Sequence, residues 1–359
     1  MILLYADDPG GVNYLAPLAD ALLAERISCQ FQVAPELTNY TADRYIKCVV
    51  RDGNLNAADI LANVELVIVG TSENPDCFAH NLVAAARTIN IPSLGVVDMK
   101  VNADRRFRGR GVDPLKHVPD WLAVSDDSTA DAYIAIGFPS NRLLVCGHPH
   151  YDEVRERRNQ FQARNPALQR QAAFPMAPAN RPIWLFLAEG IDLLNPSVSF
   201  RDSDYTLFGR GGSDFRSVIV LEEILDAAAQ LNPRPWVALR LHPKNREEDF
   251  ASLAPELGMI SRKGDPLPLV WAADLVLGMT TMLLVETYLL GRPHLSILPR
   301  SSERNWLSTL EQGLTKTVCS RGDLLEILFS DLACLNISKD DLPVGAVNNF
   351  LDFIGQEKY

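Results

Sequence analysis

The chain has 359 residues, of which 47% are hydrophobic and 22% charged. This composition is typical of a globular protein of about two domains, and it excludes a disordered chain, a collagen-like chain and a coiled-coil rod. The 34 Lys and Arg residues against 45 Asp and Glu give a net charge of −11. A duplex-binding protein needs a basic surface, so we expect no nucleic-acid partner.

The cysteines and the apolar run at the N-terminus indicate the cellular compartment of the protein. Six scattered cysteines form no CxxC pair and no zinc-type spacing, which favours a reducing cytoplasm over a disulfide scaffold. The apolar run that starts at Ile2 ends at two aspartates, so we interpret it as a strand and not as a signal peptide. No apolar stretch reaches about 18–20 residues, so we expect a cytoplasmic protein without a transmembrane helix. A peripheral membrane contact and the oligomeric state stay open.

Short β-type runs alternate with helix-period segments in the first 150 residues. The run Glu65–Gly70, ELVIVG, is apolar throughout, which is typical of a strand buried on both faces of a parallel sheet. Helical periodicity predicts helices over Tyr14–Glu25 and Asp76–Thr88. The other predicted strands are Ile2–Ala6, Gln30–Val33, Lys47–Val50, Pro92–Val97, Trp121–Ser125 and Leu143–Cys146.

A polar segment follows and ends in several prolines between Phe174 and Pro182, which is typical of an interdomain linker. The stretch Ile191–Arg216 is polar and too long for an ordinary connection, so we expect a mobile functional loop or an insertion.

The alternation restarts with predicted strands Ile183–Leu187, Trp236–Leu241, Gly258–Ser261, Leu275–Leu277 and His294–Ile297. The predicted helices of this half are Val218–Leu231, Glu247–Leu253, Met282–Leu290 and Asp323–Phe329, before a final amphipathic segment, Val344–Ile354.

The sequence therefore predicts an α/β protein with two Rossmann-like parallel-sheet domains facing a cleft. We place the first domain at residues 1–152, a linker at 153–182 and the second domain at 183–340. A C-terminal helix at 341–359 is expected to pack back on the first domain.

The first candidate site is Asp7-Asp8-Pro9-Gly10-Gly11, directly after the first strand. Ligands of open parallel sheets bind at the carboxyl ends of strands, and glycine permits close approach of a ligand to the backbone. Either carboxylate can act as a general base or hold a sugar hydroxyl. The alternative is an ordinary turn in which an aspartate caps the next helix. Between the two acids, we slightly favour Asp8 as the base.

The second candidate site is Arg240-Leu241-His242-Pro243-Lys244, at the end of another predicted strand. Pro243 fixes the start of the loop, and Arg240, His242 and Lys244 can bind a diphosphate or neutralise a leaving group. The alternative is a solvated strand end with His242 bonded to the backbone.

The third candidate site follows the strand that ends at Gly278. Thr280 and Thr281 can cap the next helix and donate to a phosphate at its N-terminus. Glu286 can accept hydrogen bonds from ribose hydroxyls. The alternative is an N-cap followed by a surface glutamate.

Weaker candidates also lie at strand ends: Asp98, His148 beside Gly147, and Glu189 beside Gly190. The basic segment Arg105–Gly111 is interpreted as solvated, with contact to an anionic acceptor as the alternative. We interpret His80 and His117 as structural residues.

Three motifs carry a resemblance to a known family. The segments Val118–Ser125 and Leu144–Asp152 look like the exit from the first domain of the GT-B group, which includes glycosyltransferases and UDP-N-acetylglucosamine 2-epimerases. The block Ala273–Pro299 resembles the nucleotide-binding strand–loop–helix of the second domain. His242-Pro243 is similar to the HP motif of bacterial sialyltransferases and CDP-glycerol glycerophosphotransferases. There the His contacts the donor phosphate, and a Ser/Thr motif that matches Thr280-Thr281 follows.

This resemblance implies a GT-B fold whose first domain holds the acceptor and whose second domain binds a nucleotide-sugar, without a metal or another cofactor. Two departures from the epimerases are visible. Gly278-Met279-Thr280 stands where they have a DSG-type loop, and Phe186–Gly190 does not match their HRREN segment. No clean copy of the sialyltransferase DDG base motif is present either, and Glu189-Gly190 is the nearest match.

We therefore expect a glycosyltransferase of glycan or surface-polysaccharide biosynthesis, with Asp8, Asp7 or Glu189 as the catalytic acid. A UDP-sugar epimerase or hydrolase and a non-catalytic nucleotide-sugar-binding protein are the alternatives.

Overall fold

A computed structural model describes residues 1–191, 196–330, 332–335 and 341–356. These residues form two compact units. Unit 1 comprises residues 1–153 and 342–359, and unit 2 comprises residues 154–341. The last positions of the predicted C-terminal helix, 357–359, and residues 192–195 of the predicted insertion lie outside the described residues.

Unit 1 contains a seven-stranded sheet in the order β3-β2-β1-β4-β5-β6-β7, with every neighbouring pair parallel. Three of its inner strands are buried along their whole length, which is why their sequences are continuous apolar runs. The strands are β1 Ile2–Ala6, β2 Cys29–Val33, β3 Val49–Val50, β4 Leu66–Gly70, β5 Ser93–Val97, β6 Trp121–Val124 and β7 Leu143–Val145.

The helices of unit 1 connect these parallel strands. The first begins at Pro9, five residues before the predicted start, because Asp8 caps it and Pro9 occupies the first helical turn. Gly10 and Gly11 are therefore helical, although their composition is typical of a turn. The helices are α1 Pro9–Ala24, α2 Thr38–Ala42, α3 Ala57–Ile60, α4 Phe78–Thr88, α5 Ala103–Arg106 and α6 Asp127–Ala135.

The segment predicted as a linker, 153–182, is largely helical. Helix α7, Pro149–Gln162, passes from unit 1 into unit 2, and helix α8, Pro166–Ala173, is capped by Asn165. Phe161 of α7 stacks on Trp271, so this part of the chain packs within unit 2. Its polar composition reflects the exposed faces of these two helices.

Unit 2 contains a six-stranded parallel sheet in the order β10-β9-β8-β11-β12-β13. Its strands are β8 Ile183–Leu187, β9 Trp236–Arg240, β10 Met259–Ser261, β11 Leu275–Gly278, β12 His294–Ile297 and β13 Thr317–Val318. Its further helices are α9 Arg216–Ala228, α10 Leu267–Ala272, α11 Met282–Leu289, α12 Ser308–Glu311 and α13 Arg321–Phe329. Short 3₁₀ helices include Pro196–Ser199, Glu247–Phe250 and Ser301–Trp306.

The described part of the predicted insertion, 196–215, is folded onto unit 2. Phe200 and Phe215 form an antiparallel bridge, and the Arg201 guanidinium donates to the carbonyl oxygen of Phe208 at 2.9 Å. Glu223 of α9 accepts the Gly209 N–H at 2.9 Å. These contacts fix the loop against the start of α9.

The chain returns to unit 1 through its last helix, α14, Ala346–Gln356. Phe350 of α14 is fully buried and packs edge-on against Tyr14, while Phe353 packs on Trp121. The Asn349 side chain donates to the Cys146 carbonyl oxygen at 3.2 Å. The core of unit 1 is therefore built from both ends of the sequence.

Candidate functional site

The carboxyl ends of β1, β4 and β5 are neighbours in unit 1, because these strands are adjacent in its sheet. Asp7 and Asp8 follow β1, Thr71 follows β4 and Asp98 follows β5. The structure therefore brings together acidic residues that are about 90 positions apart in the sequence.

Asp7 has a structural role that its position in the sequence did not indicate. Its carboxylate accepts the backbone N–H groups of Phe78 at 3.2 Å and Ala79 at 2.9 Å, at the start of α4. It also accepts the hydroxyl of Tyr5 at 3.1 Å. Burial raises the pKa of Asp7, and the two N–H donors act against this rise. Asp7 therefore binds the N-terminus of α4, and its expected catalytic role stays a prediction.

Asp8 caps α1 and faces a second carboxylate. Its Oδ1 accepts the Gly11 N–H at 2.8 Å. Asp98 lies so close to α1 that a Cβ at Gly10 would collide with its Oδ2. Burial raises the pKa of Asp8 to about 7, and the negative charge of Asp98 adds to the rise. A carboxyl group with this pKa exchanges a proton near neutral pH, as a general base or acid requires.

Arg106 supports this pair, and the sequence analysis missed it because the basic segment was interpreted as solvated. Its buried guanidinium donates to Asp98 Oδ1 at 3.0 Å and to Thr71 Oγ1 at 2.9 Å, and its Nε donates to the Val101 carbonyl oxygen at 3.1 Å. Arg106 thus fixes the position of the Asp98 side chain beside Asp8. The only signal in the sequence is a strand-end acid followed eight residues later by an arginine.

In unit 2, the carboxyl ends of β9, β8 and β11 are adjacent. They carry His242, Glu189 and the Gly278–Thr281 segment respectively. The second and third candidate sites therefore lie side by side, with Glu189 between them.

The ring of His242 is fixed by its own loop. Its Nδ1 accepts the Lys244 N–H at 3.1 Å, and its backbone N–H donates to Asn245 Oδ1 at 2.9 Å. Burial lowers the pKa of His242 to about 4, and the Lys244 charge contributes. The ring is therefore neutral at pH 7, and because Nδ1 is the acceptor its proton is on Nε2. Gly190 packs against the ring, and Lys244 is exposed.

The N-terminus of α11, where we predicted a phosphate, is occupied by a carboxylate of the protein. The Thr280 N–H donates to Glu189 Oε1, and the Thr280 hydroxyl lies 3.0 Å from Glu189 Oε2. Thr281 caps α11 by accepting the Leu283 N–H at 3.3 Å. The Thr280 donors thus already have a partner in the Glu189 side chain, and the catalytic role that we expected for Glu189 stays a prediction.

A buried ion-pair network continues from Glu189, and its other members were not found from the sequence. Arg216 pairs with Glu189 and donates through Nε to both oxygens of Glu303 at 3.1 Å. Arg300 donates to Glu303 Oε1 at 2.8 Å. Both guanidinium groups also lie over the Trp306 ring, at 5.3 and 5.4 Å from its centre. The buried part of the network has two arginines and two glutamates, and the exposed Asp204 carboxylate lies 3.7 Å from Arg300.

Two further candidates are held away from the strand-end sites. Arg240 donates to Ser261 Oγ at 2.9 Å and to the carbonyl oxygens of Lys263 and Gly264, so it fixes the loop after β10. His148 is buried, and its ring packs on Tyr14 and Tyr151. Both side chains thus have structural contacts, and their expected role in substrate binding stays a prediction.

The remaining candidates occupy well-packed positions. Gly11 packs on the backbone of Gly70, and Gly278 packs on Leu284. Glu286 is buried within α11, and the Pro243 carbonyl oxygen accepts from Arg262 at 3.3 Å. Among the residues predicted to bind a ligand in unit 2, His242 can donate through its Nε2–H, and Lys244 can donate through its exposed ammonium group.

In the part of the chain that the structure describes, no group of three or more His, Cys, Asp and Glu side chains is arranged to hold a metal ion. No helix in those same ranges is long and apolar enough to cross a membrane.

Comparisons with known proteins identify the fold. No protein-family model matches the sequence, and no curated protein matches it. Among solved structures, the chain is similar to UDP-GlcNAc 2-epimerase from Neisseria meningitidis bound to UDP-GlcNAc. The TM-score is 0.71 at 15% identity, over 99% of this chain and 100% of that chain.

Two other solved structures are similar over nearly the whole chain. UDP-GlcNAc 2-epimerase from Methanocaldococcus jannaschii, in complex with UDP-GlcNAc and UDP, has a TM-score of 0.67 at 13% identity and covers 99% of both chains. A variant of the wall teichoic acid polymerase TagF has a TM-score of 0.59 at 11% identity, over 99% of this chain and 88% of that chain. The predicted fold, two Rossmann-like parallel-sheet domains of the GT-B type, is confirmed.

Proposed function

We propose that this protein is an enzyme that acts on a nucleotide-activated sugar, with Asp8 as the group that moves a proton. The observation that carries the proposal is the carboxyl pair at the sheet edge of unit 1. Burial and the neighbouring Asp98 raise the pKa of Asp8 to about 7, and Arg106 holds Asp98 in place. A carboxyl group whose pKa is raised toward neutral pH by burial and by a neighbouring carboxylate is typical of acid–base sites.

We assign nucleotide binding to unit 2. The His242 Nε2–H and the Lys244 ammonium are suited to a diphosphate, since one is an oriented donor and the other an exposed cation. The N-terminus of α11 is a less suitable phosphate site here, because the Glu189 carboxylate already accepts its donors. The solved structures with UDP or UDP-GlcNAc bound support this ligand class.

The reaction we favour is glycosyl transfer. Ionised Asp8 takes the proton of an acceptor hydroxyl, the acceptor oxygen forms a bond to the anomeric carbon, and the bond from that carbon to the nucleotide diphosphate breaks. The leaving diphosphate carries the released charge.

Epimerisation of a UDP-sugar is a second candidate. The comparisons favour it, because the two epimerases have TM-scores of 0.71 and 0.67 over 100% and 99% of their chains, against 0.59 over 88% for the polymerase. A carboxyl group with a pKa of about 7 also suits a reaction that removes a proton and returns one.

A thermal-shift panel of UDP, GDP, CDP and CMP tests the ligand class, because a ligand of the folded state raises the unfolding temperature. We expect at least one nucleotide to stabilise the protein and the His242→Ala variant to lose that shift. The matching nucleotide-sugar is then followed by NMR without an acceptor. Conversion of the sugar alone would favour epimerase or hydrolase chemistry, and stabilisation without turnover under any condition would indicate a binding protein.

A further inference from the structure

The loop after β5 concentrates positive charge in an acidic protein. Residues 99–118, here called the basic loop, contain six Lys and Arg residues against two Asp, whereas the whole chain has a net charge of −11. The loop directly follows Asp98, and Arg106 within it contacts that carboxylate. The excess of cations therefore lies at the edge of the sheet that carries the Asp8–Asp98 pair.

The basic loop is held in place by several contacts with unit 1. The Arg106 carbonyl oxygen lies 3.0 Å from His80 Nε2, and the His80 ring stacks on His117 with 4.6 Å between ring centres. Asn102 donates to Glu73 at 2.9 Å, and Arg87 donates to the Val118 carbonyl oxygen at 2.7 Å. The loop is anchored at its start, middle and end, so its backbone has a defined position in unit 1.

Two of these cations are not compensated. Arg106 is paired with Asp98 and Arg110 with Asp76. Arg105 and Arg108 are half-buried, and within the described ranges no hydrogen bond or ion pair of their guanidinium groups is found. They flank Arg106 in the chain, at the end of α5 and just after it. Guanidinium groups are planar donors that match phosphate and carboxylate oxygens in bidentate geometry.

We propose that Arg105 and Arg108 bind an oxyanion, a phosphate or a carboxylate, on the second substrate of this enzyme. The proposal rests on the proposed function, since it names the class of acceptor whose hydroxyl reaches Asp8. Two carboxyl groups at one sheet edge repel an anionic acceptor, and the charges of Arg105 and Arg108, which flank the Asp98-bound Arg106 in the chain, act against that repulsion. An anionic acceptor is thereby favoured over a neutral one.

The test compares two double variants that remove the same charge. Arg105→Gln/Arg108→Gln removes the proposed site, and Lys47→Gln/Arg142→Gln removes two exposed cations elsewhere in unit 1. Binding of tripolyphosphate and of a galacturonate oligosaccharide is measured by calorimetry. Because tripolyphosphate can also bind unit 2, the titrations are made on the His242→Ala background. Thermal unfolding checks that each variant is folded.

We expect the Arg105/Arg108 variant to bind at least one probe tenfold or more weakly, and the control variant to stay within twofold. The probe that is affected distinguishes a phosphate from a carboxylate on the acceptor. Equal weakening in both variants, no weakening in the first, or no binding of either probe would overturn the proposal. UDP affinity should be unchanged in both double variants without the His242 change. If the protein binds no nucleotide, the proposed function is contradicted, but the measured effect of the Arg105/Arg108 variant on probe binding remains valid.

Discussion

Asp7 and Asp8 are neighbours in the chain, yet their carboxylates face different partners. Asp7 accepts two N–H groups at the start of α4, and Asp8 faces Asp98. We expect Asp8→Asn to lower turnover by about 10²–10⁴-fold, the usual contribution of a general base. Asparagine is an equally good N-cap, so the fold should hold. In the wild type, kcat/KM should rise as the pH increases through about 7, because the ionised carboxylate is the base.

Asp7→Asn is the matched control for that experiment. It replaces one acceptor oxygen by an amide that cannot accept from α4, so we expect a loss of about 1–2 kcal/mol in the free energy of unfolding. Turnover of the folded variant should stay within a few-fold of wild type. Both are measured by urea denaturation and steady-state kinetics. A large loss of turnover in Asp7→Asn with full activity in Asp8→Asn would reverse the assignment.

His242 is neutral at physiological pH, which predicts how nucleotide binding responds to pH. Because its pKa is about 4, the affinity for a nucleotide-sugar should be constant between about pH 5.5 and 8. The His242→Ala variant should bind more weakly by about 1.5–3 kcal/mol, because a hydrogen bond to a charged phosphate is lost. Calorimetry at several pH values measures both. Affinity that falls as the pH rises through about 6.5 would mean that the imidazolium is the binding form.

The different roles of these strand-end residues could not be predicted from the sequence. The sequence pattern placed Asp7, Asp8, Glu189 and His242 at the ends of strands, because each follows an apolar run. The partner of each depends on residues far along the chain: Asp7 meets α4 about 70 residues later, and Glu189 meets Thr280 about 90 residues later. Local patterns carry no information on such pairings.

At the scale of elements, the network of Glu189, Arg216 and Glu303 joins the end of β8, the start of α9 and the segment after β12. Removing one partner of a buried ion pair leaves an uncompensated charge, which costs about 3–5 kcal/mol. We expect Arg216→Met to lower the free energy of unfolding by about this amount in urea titrations.

Arg210→Met is the control, because Arg210 pairs with Glu256 on the surface of the same unit. A surface pair contributes about 1 kcal/mol or less. Equal losses in the two variants would show that the buried network contributes no more than the surface pair.

Most strands were predicted, because buried parallel strands are continuous apolar runs, as in β4 and β8. The start of α1 was missed, since Pro9-Gly10-Gly11 has the composition of a turn and only the cap by Asp8 shows that it is helical. Helices α7 and α8 were obscured by their polar surfaces, because a helix with a narrow buried stripe resembles a linker in composition.

At the scale of the whole molecule, unit 1 is discontinuous in sequence. Phe350 is fully buried against the first helix, so Phe350→Ala should cost about 3–5 kcal/mol and lower the unfolding temperature. Leu351→Ala, at a partly buried position of the same helix, should cost less. Thermal unfolding measures both, and a Phe350→Ala effect no larger than that of Leu351→Ala would show that α14 is not part of the core.

The two segments of unit 1 also meet closely in space. The Gly345 N–H donates to Asp152 Oδ1 at 3.0 Å, near the point where unit 1 is interrupted. Joining residues 1–153 to 342–356 through a short Gly-Ser linker should therefore give a fragment that unfolds cooperatively. A fragment of 1–153 alone should not, because the surface covered by α14 would be exposed.

The late position of α14 has a consequence for synthesis on the ribosome. The nascent chain presents the strands of unit 1 first, but Tyr14 and Trp121 remain uncovered until Phe350 and Phe353 have been made. Translation of residues 154–341 at about 5–20 residues per second takes roughly 10–40 s. During that interval unit 2 can fold completely, while the apolar face of unit 1 that α14 covers is still exposed and accessible to chaperones. The part of the protein that is synthesised first is therefore the last to be finished.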